Sequence, residues 1–252
     1  MLVLNFSYGL SFDERGWLVS DGNFPHKIIH KPTLRCWKGM HPWIKEHFGN
    51  RFQGTITHYD ALGSAARTAA GFTSSATGAS THFIVDRNGD IYQLVSIHDR
   101  SWHAGQNDNE WAENDGNFLM PNGEKTKSPN QWFLGIDFSN WGYLVGRTAP
   151  FRTWAKTPFT GPVFFEPGTT RRWEAYTQEA VDSYADLQLA LAVALELQQG
   201  MNIRHQDSAP KNKVDPGPAL PFHEIIQEVY AQVAELNSIQ LDNNRAGDPH
   251  ST

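Results

Sequence analysis

Residues 132–140 read WFLGIDFSN, a stretch that is nearly all apolar. A strand wet on one face alternates, whereas a strand covered on both faces gives a continuous apolar run. The stretch therefore predicts a central strand with layers packed above and below it. Upstream, GTITHYDA (54–61) reads as a second short buried strand, favoured by Thr55, Ile56 and Thr57. Between them, THFIVDRNGDIYQLV (81–95) holds two apolar runs around Asn88-Gly89, a strong hairpin signal. NIRH (202–205) adds a fourth short strand.

Helices fall between these strands. SAARTAAGF (64–72) is expected to be one, with Ser64 as N-cap and Gly71 as stop. Thr177 is expected to cap a helix over 178–199 ended by Gly200, with Val181, Tyr184, Leu187, Leu191 and Leu195 as its apolar stripe. HEIIQEVYAQVAEL (223–236) is a last amphipathic helix, and the polar segment after it reads as a frayed tail. The expected fold class is α/β (α+β): a mixed central β-sheet flanked by helices. Residues 1–50 have no clean period and read as an irregular wrap, with a short helix at 42–48. Segments 106–131 and 141–173 read as long loops, the second rich in aromatics. Loops of that length in a compact domain are often functional.

The chain has 252 residues, which suits one elaborated domain. With Lys+Arg 21 and Asp+Glu 27, the net charge of −6 argues against a nucleic-acid binder, which presents a basic face. The longest apolar run, LALAVALEL (189–197), is shorter than the ~20 residues a membrane helix needs. A single cysteine, Cys36, leaves neither an internal disulfide nor a Cys-rich zinc site. The N-terminus lacks a basic, cleavable leader, so the expectation is a cytoplasmic protein, with release or export to another compartment left open. The composition includes 9 Trp, 15 Phe and 7 Tyr, which suits either a core or a groove that stacks sugar rings.

Of the eleven histidines, His58 and His205 sit in distinctive contexts. His58 and His205 each end a strand, where ligand sites of α/β sheets gather. Asp215 follows His205 by ten residues in a Pro-Gly-Pro turn. Two imidazoles and a carboxylate form a zinc set with one position left for water. Spacing alone favours the plainer reading, a turn-capping aspartate and a solvated histidine. Lys213, two residues before Asp215, reads as an oxyanion stabiliser or as a solvated lysine. Asp137, between Ile136 and Phe138, reads as a desolvated general base or as a buried structural aspartate.

Five blocks in order carry a resemblance: THYDA around His58, STHFIVDRNGDIYQLV (80–95), SWHAGQ (101–106), LGIDFSN (134–140) and RHQDSAPKNKVDPGPALPF (204–222). The sequence resembles the type-2 N-acetylmuramoyl-L-alanine amidases, a family that includes phage lysozyme-type amidases, cell-wall-recycling amidases and peptidoglycan recognition proteins. The last block is the most specific, with Lys213 eight residues after His205 and Asp-Pro-Gly-Pro beginning two residues later.

The resemblance implies a single zinc ion per chain, held by His58, His205 and Asp215. It implies Lys213 over the scissile carbonyl oxygen and Asp137 where recycling members carry a catalytic glutamate. Trp102 and His103 would line the substrate groove, and His82 would pack beneath the site. The implied reaction is hydrolysis of the amide between the lactyl group of N-acetylmuramic acid and L-alanine, in peptidoglycan or muropeptides. The implied layout is an N-terminal wrap (1–50), a zinc amidase domain (51–236) and a polar tail (237–252). Asp137 departs from the pattern, because an aspartate is one methylene, or ~1.5 Å, shorter than a glutamate. Some phage-type members use a tyrosine where this chain has Thr81, and Tyr59, beside His58, is the candidate stand-in. Two alternatives stay open: a module that binds muropeptides without cutting them, and a zinc hydrolase of some other amide.

Overall fold

The computed structural model describes residues 2–40, 42, 45, 46, 49, 51–74, 77–104, 118, 119, 125, 126 and 128–246. In chain order the elements are β1 (Leu10–Phe12), β2 (Leu18–Ser20), β3 (Ile28–His30), β4 (Gly54–Tyr59), α1 (Ala65–Thr73), β5 (Phe83–Val85), β6 (Ile91–Gln93), β7 (Phe118–Leu119) and β8 (Lys125–Thr126). There follow β9 (Phe133–Phe138), β10 (Tyr143–Leu144), β11 (Val163–Phe165), β12 (Arg172–Glu174), α2 (Gln178–Leu195), β13 (Asn202–Arg204), the single turn α3 (His205–Ser208) and α4 (Phe222–Ala246). Most of the stretch 42–48, where a short helix is expected, and most of the 106–131 loop lie outside the described residues.

The central sheet has six strands in the order β13-β4-β9-β5-β6-β3. All neighbours run parallel except β5 and β6, the hairpin that turns at Asn88-Gly89. β9 lies between β4 and β5 and is buried along its whole length, as its nearly all-apolar sequence leads one to expect. Successive side chains alternate between two faces. On one face Phe83 and Val85 join the main core beneath α2 and α4, while on the other Ile84 packs with Ala65 and Ala69 of α1. Helices thus cover the sheet on both sides.

Helix α2 is fastened to the central strands by a buried polar set. The Tyr184 hydroxyl lies 2.7 Å from that of Thr57, and the Gln188 amide donates to Thr55 at 2.9 Å. All five residues of its expected stripe are buried. Thr177 caps its start, accepting from the Ala180 NH. The expected stop at Gly200 is wrong. The helix ends at Leu195 because Glu196 adopts a left-handed conformation and the Leu197 NH closes on the Ala192 carbonyl at 3.2 Å. This is a Schellman cap built without glycine, and the burial of Leu197 holds it. Gly200 lies instead in a 3-10 turn, Gln199–Met201. Ser64 caps α1 as expected, but the helix passes Gly71 and stops at Thr73.

Three further segments differ from expectation. The N-terminal segment is more than an irregular wrap, because β3 forms an edge strand of the central sheet. The buried Gln93 side chain ties it down, accepting from the Leu18 NH at 2.6 Å and donating to the Gly16 carbonyl at 2.9 Å. The aromatic segment 141–173 is more than a loop, because β10, β12 and β11 form a small antiparallel sheet. The last helix runs on through Ala246, ten residues into the expected tail, since no Gly or Pro interrupts it before Gly247. Among the described residues, no helix is long and apolar enough to cross a membrane.

Gly54 opens β4 where β13 begins beside it. A Cβ there would lie 1.8 Å from the Met201 carbonyl oxygen, which is backbone and cannot rotate away. Gly54→Ala is therefore expected to lower stability by at least ~1–3 kcal/mol, the usual cost of overpacking a core. Urea unfolding checks this, with a lower midpoint at an unchanged m-value as the expected result.

Candidate metal centre

Strands β13, β4 and β9 are parallel, so their carboxyl ends share one edge of the sheet. His58 lies near the end of β4, Asp137 is its register partner on β9, and His205 directly follows β13. Register partners on neighbouring parallel strands point to the same face, so Asp137 stands beside His58. The Gln206 NH donates to the Asp215 carbonyl at 2.9 Å, which folds the 205–215 segment back and returns Asp215 to His205. The Tyr176 hydroxyl donates to the Pro216 carbonyl at 2.8 Å and holds that turn from outside.

Three donor atoms converge there. Nδ1 of His58 is 2.9 Å from Nδ1 of His205, which is 2.8 Å from Oδ2 of Asp215. His58 Nδ1 lies 3.3 Å from the same oxygen. All three residues are buried, and together they could hold a metal ion. Zinc bonded tetrahedrally at ~2.0–2.1 Å spaces neighbouring donors by roughly 3.3 Å, so outward shifts of a few tenths of an ångström seat it. A His-His-carboxylate set leaves a coordination position open, the pattern of catalytic rather than structural zinc.

Burial, reinforced by the neighbouring His205, depresses His58 to about 4, so its imidazole is neutral at physiological pH. Burial disfavours ionisation of Asp215, but the bond from His205 and the nearness of His58 outweigh it and hold the carboxylate well below its ordinary range. Both groups are thus in the protonation state that a cation requires.

The other expected site residues fall in different places. Lys213 lies on the turn between His205 and Asp215, close enough for its charge to act on His58. It also lines a cavity of about 620 Å³ with Arg171, Trp173, Arg204 and Gln206. Trp102 packs on Trp37 with ring centroids 3.5 Å apart and borders a second cavity, of about 410 Å³, with Leu34 and Arg35. Tyr59 follows His58 on the strand, so alternation turns it away from the cluster; its ring lies over Gly142 and packs against the main core. That placement removes it as a substitute for the missing tyrosine. His82 is wholly buried, with Nε2 donating to the Asp99 carbonyl and Nδ1 accepting from the Gly135 NH.

His103 has contacts that the groove expectation did not include. Nδ1 of His103 meets Nε2 of His58 at 3.0 Å, and its own Nε2 meets the Phe133 carbonyl at 3.0 Å. Both ring nitrogens are committed inside the protein, leaving neither for a substrate. The contact with His58 spans 45 residues, and no local spacing announces it. Thr81 was also missed as a site neighbour: its hydroxyl bonds the Asp137 carboxyl.

A family profile described as N-acetylmuramoyl-L-alanine amidase matches residues 48–218. No curated protein matches the chain. Among solved structures, a selenomethionine derivative of AmpD is similar with a TM-score of 0.51 and 18% identity, over 86% of this chain and 98% of that one. AmpDh3 from Pseudomonas aeruginosa is similar with a TM-score of 0.50 and 20% identity, over 72% of this chain and 61% of its own. At such identities the structural likeness speaks for the fold alone.

Burial pushes the Asp137 carboxyl up to about 8, helped by the charges of Asp60 and Asp215 and opposed by the Thr81 bond. The native chain therefore keeps a proton that the unfolded chain releases near pH 4. Stability from this group is complete below about pH 4 and is lost as pH rises through about 8. In metal-free protein, Asp137→Asn is expected to gain in melting temperature over wild type as pH rises from about 5 to about 8. Thermal unfolding across that range checks this, and a gap that stays constant with pH would contradict it.

Proposed function

The chain belongs to the N-acetylmuramoyl-L-alanine amidase family, and from that premise we propose a zinc-dependent hydrolase. Its substrate is the amide between the lactyl group of N-acetylmuramic acid and L-alanine, in peptidoglycan or soluble muropeptides. The observation that carries this reading is the convergence of His58, His205 and Asp215 at the carboxyl edge of three parallel strands. Zinc bound there supplies Lewis-acid polarisation of a carbonyl and lowers the pKa of a water.

The chain's own groups complete the chemistry. Asp137, beside His58 on the same face, accepts the proton of the attacking water and returns it to the departing amine. Its high proton affinity without metal suits a group that must hold a proton between those two steps. Thr81 orients that carboxyl through its hydroxyl. Lys213 donates to the oxyanion that develops on the scissile carbonyl. Trp102, with Trp37 beside it, offers an aromatic wall on which a sugar ring can stack.

The shorter carboxylate at position 137 favours one second reading, a muropeptide-recognition module that does not cut. A single preparation separates the two. Under the amidase reading, purified protein carries one zinc per chain and releases free stem peptide, a chelator stops the reaction and zinc restores it. Muropeptide binding with bound zinc and no cleavage selects the recognition module, and absence of zinc binding overturns both zinc readings.

Lys213→Ala is expected to lower kcat by about 10²–10³-fold, the usual cost of removing one oxyanion donor. Its zinc content should equal wild type. A variant that keeps most of its turnover would exclude Lys213 from the oxyanion site.

A further inference from the structure

We infer that His103 is a positioning residue that fixes the His58 ring with the Nδ1 lone pair turned toward His205 and Asp215. The protons can be assigned along a short chain of bonds. The Phe133 carbonyl can only accept, so His103, 3.0 Å away, must carry its proton on Nε2. A neutral imidazole has one N–H, which leaves Nδ1 of His103 as an acceptor. That atom faces Nε2 of His58 at 3.0 Å, so His58 must donate from Nε2. Neutral His58 is then left with a bare Nδ1, and this is the atom that meets His205 and Asp215.

The surroundings fix His103 for this purpose. The Asn130 side-chain oxygen accepts from both the His103 and Ala104 backbone NH groups, at 3.0 and 2.9 Å. The ring lies against Gly135, where a Cβ would come within 2.5 Å of its Cγ. It meets the His58 ring edge-on, at 85° with centroids 5.2 Å apart. The nearby His82 does not compete, since its own nitrogens are taken by Asp99, Gly135 and Ser101. A ligand imidazole whose far nitrogen donates to a fixed acceptor is oriented before the metal arrives. In this chain the acceptor is another imidazole, itself set by the backbone of the central strand.

The inference rests on the metal-site reading above, so its test uses signals other than turnover. The first is the ¹⁵N spectrum of metal-free protein near neutral pH, which reports the tautomer of each histidine. The second is zinc affinity by chelator competition for wild type, His103→Phe and His103→Asn. Phenylalanine keeps a ring but offers no acceptor, whereas asparagine places an amide oxygen near the original Nδ1. The expected result is His58 protonated on Nε2 in wild type, with zinc affinity about 10–100-fold weaker in His103→Phe and largely recovered in His103→Asn. His58 protonated on Nδ1, or undiminished zinc affinity in a folded His103→Phe, overturns the inference. If His103→Phe does not fold, the wild-type tautomer and the affinity of His103→Asn decide. Wild type that shows the inferred tautomer yet binds no zinc upholds the positioning of His58 and rejects the metal reading alone.

Discussion

The parallel alignment of β13, β4 and β9 is the constraint on which the rest of the structure depends. Strands running the same way must end at the same edge, whatever lies between them in sequence. His58 and His205 are 147 residues apart and meet because each lies at the carboxyl end of one of two adjacent strands. The spacing of those strands depends on Gly54, whose missing side chain lets the chain entering β13 approach closely. The third donor needs no strand. A turn of ten residues, closed by the Gln206–Asp215 backbone bond, is long enough to bring Asp215 back.

The site's metal-facing and acid groups are all buried, and their neighbours set them apart. The floor is the central strand β9, whose backbone receives the proton-bearing nitrogen of His103. Above that lie paired imidazoles made neutral by desolvation, then a carboxylate kept ionised by its histidine partners. Asp137, on the same face, has no such partner, and desolvation drives it the opposite way. Two aspartates in one pocket are thus set to different protonation by their neighbours, the condition for dividing metal binding from proton transfer.

Much of this was legible in the residues, and the exceptions share a physical cause. The nearly all-apolar stretch at 132–140 identified the central strand, and Asn88-Gly89 identified the hairpin, because both signals are local. The His58, His205 and Asp215 cluster was legible only through the order of the blocks around it, since a ten-residue gap has no period that enforces contact. Strand β3 went unseen because three residues cannot show an alternation, and its pairing partner lies more than sixty residues away. The end of α2 was misplaced because the expected signal was a glycine, and a buried Leu197 did the same work for Glu196. His103 was assigned to the groove from its block alone; its actual partner is set by tertiary packing.

The small sheet of β10, β12 and β11 is joined to the hairpin turn through one ion pair. Arg87 donates two bonds to the buried Glu174, at 2.7 and 2.8 Å, and also reaches the carbonyl of Gly63 before α1. Glu174 is buried while Arg87 is partly exposed, so loss of the arginine would leave the glutamate's charge uncompensated away from water. The aromatic segment is therefore coupled to the central sheet as a unit, though much of its own surface, including Tyr143, Trp154 and Phe165, faces water. Arg87 thereby acts as a tie rod: it fixes the height of the small sheet against the hairpin turn, and so the position of the ground beside the metal centre.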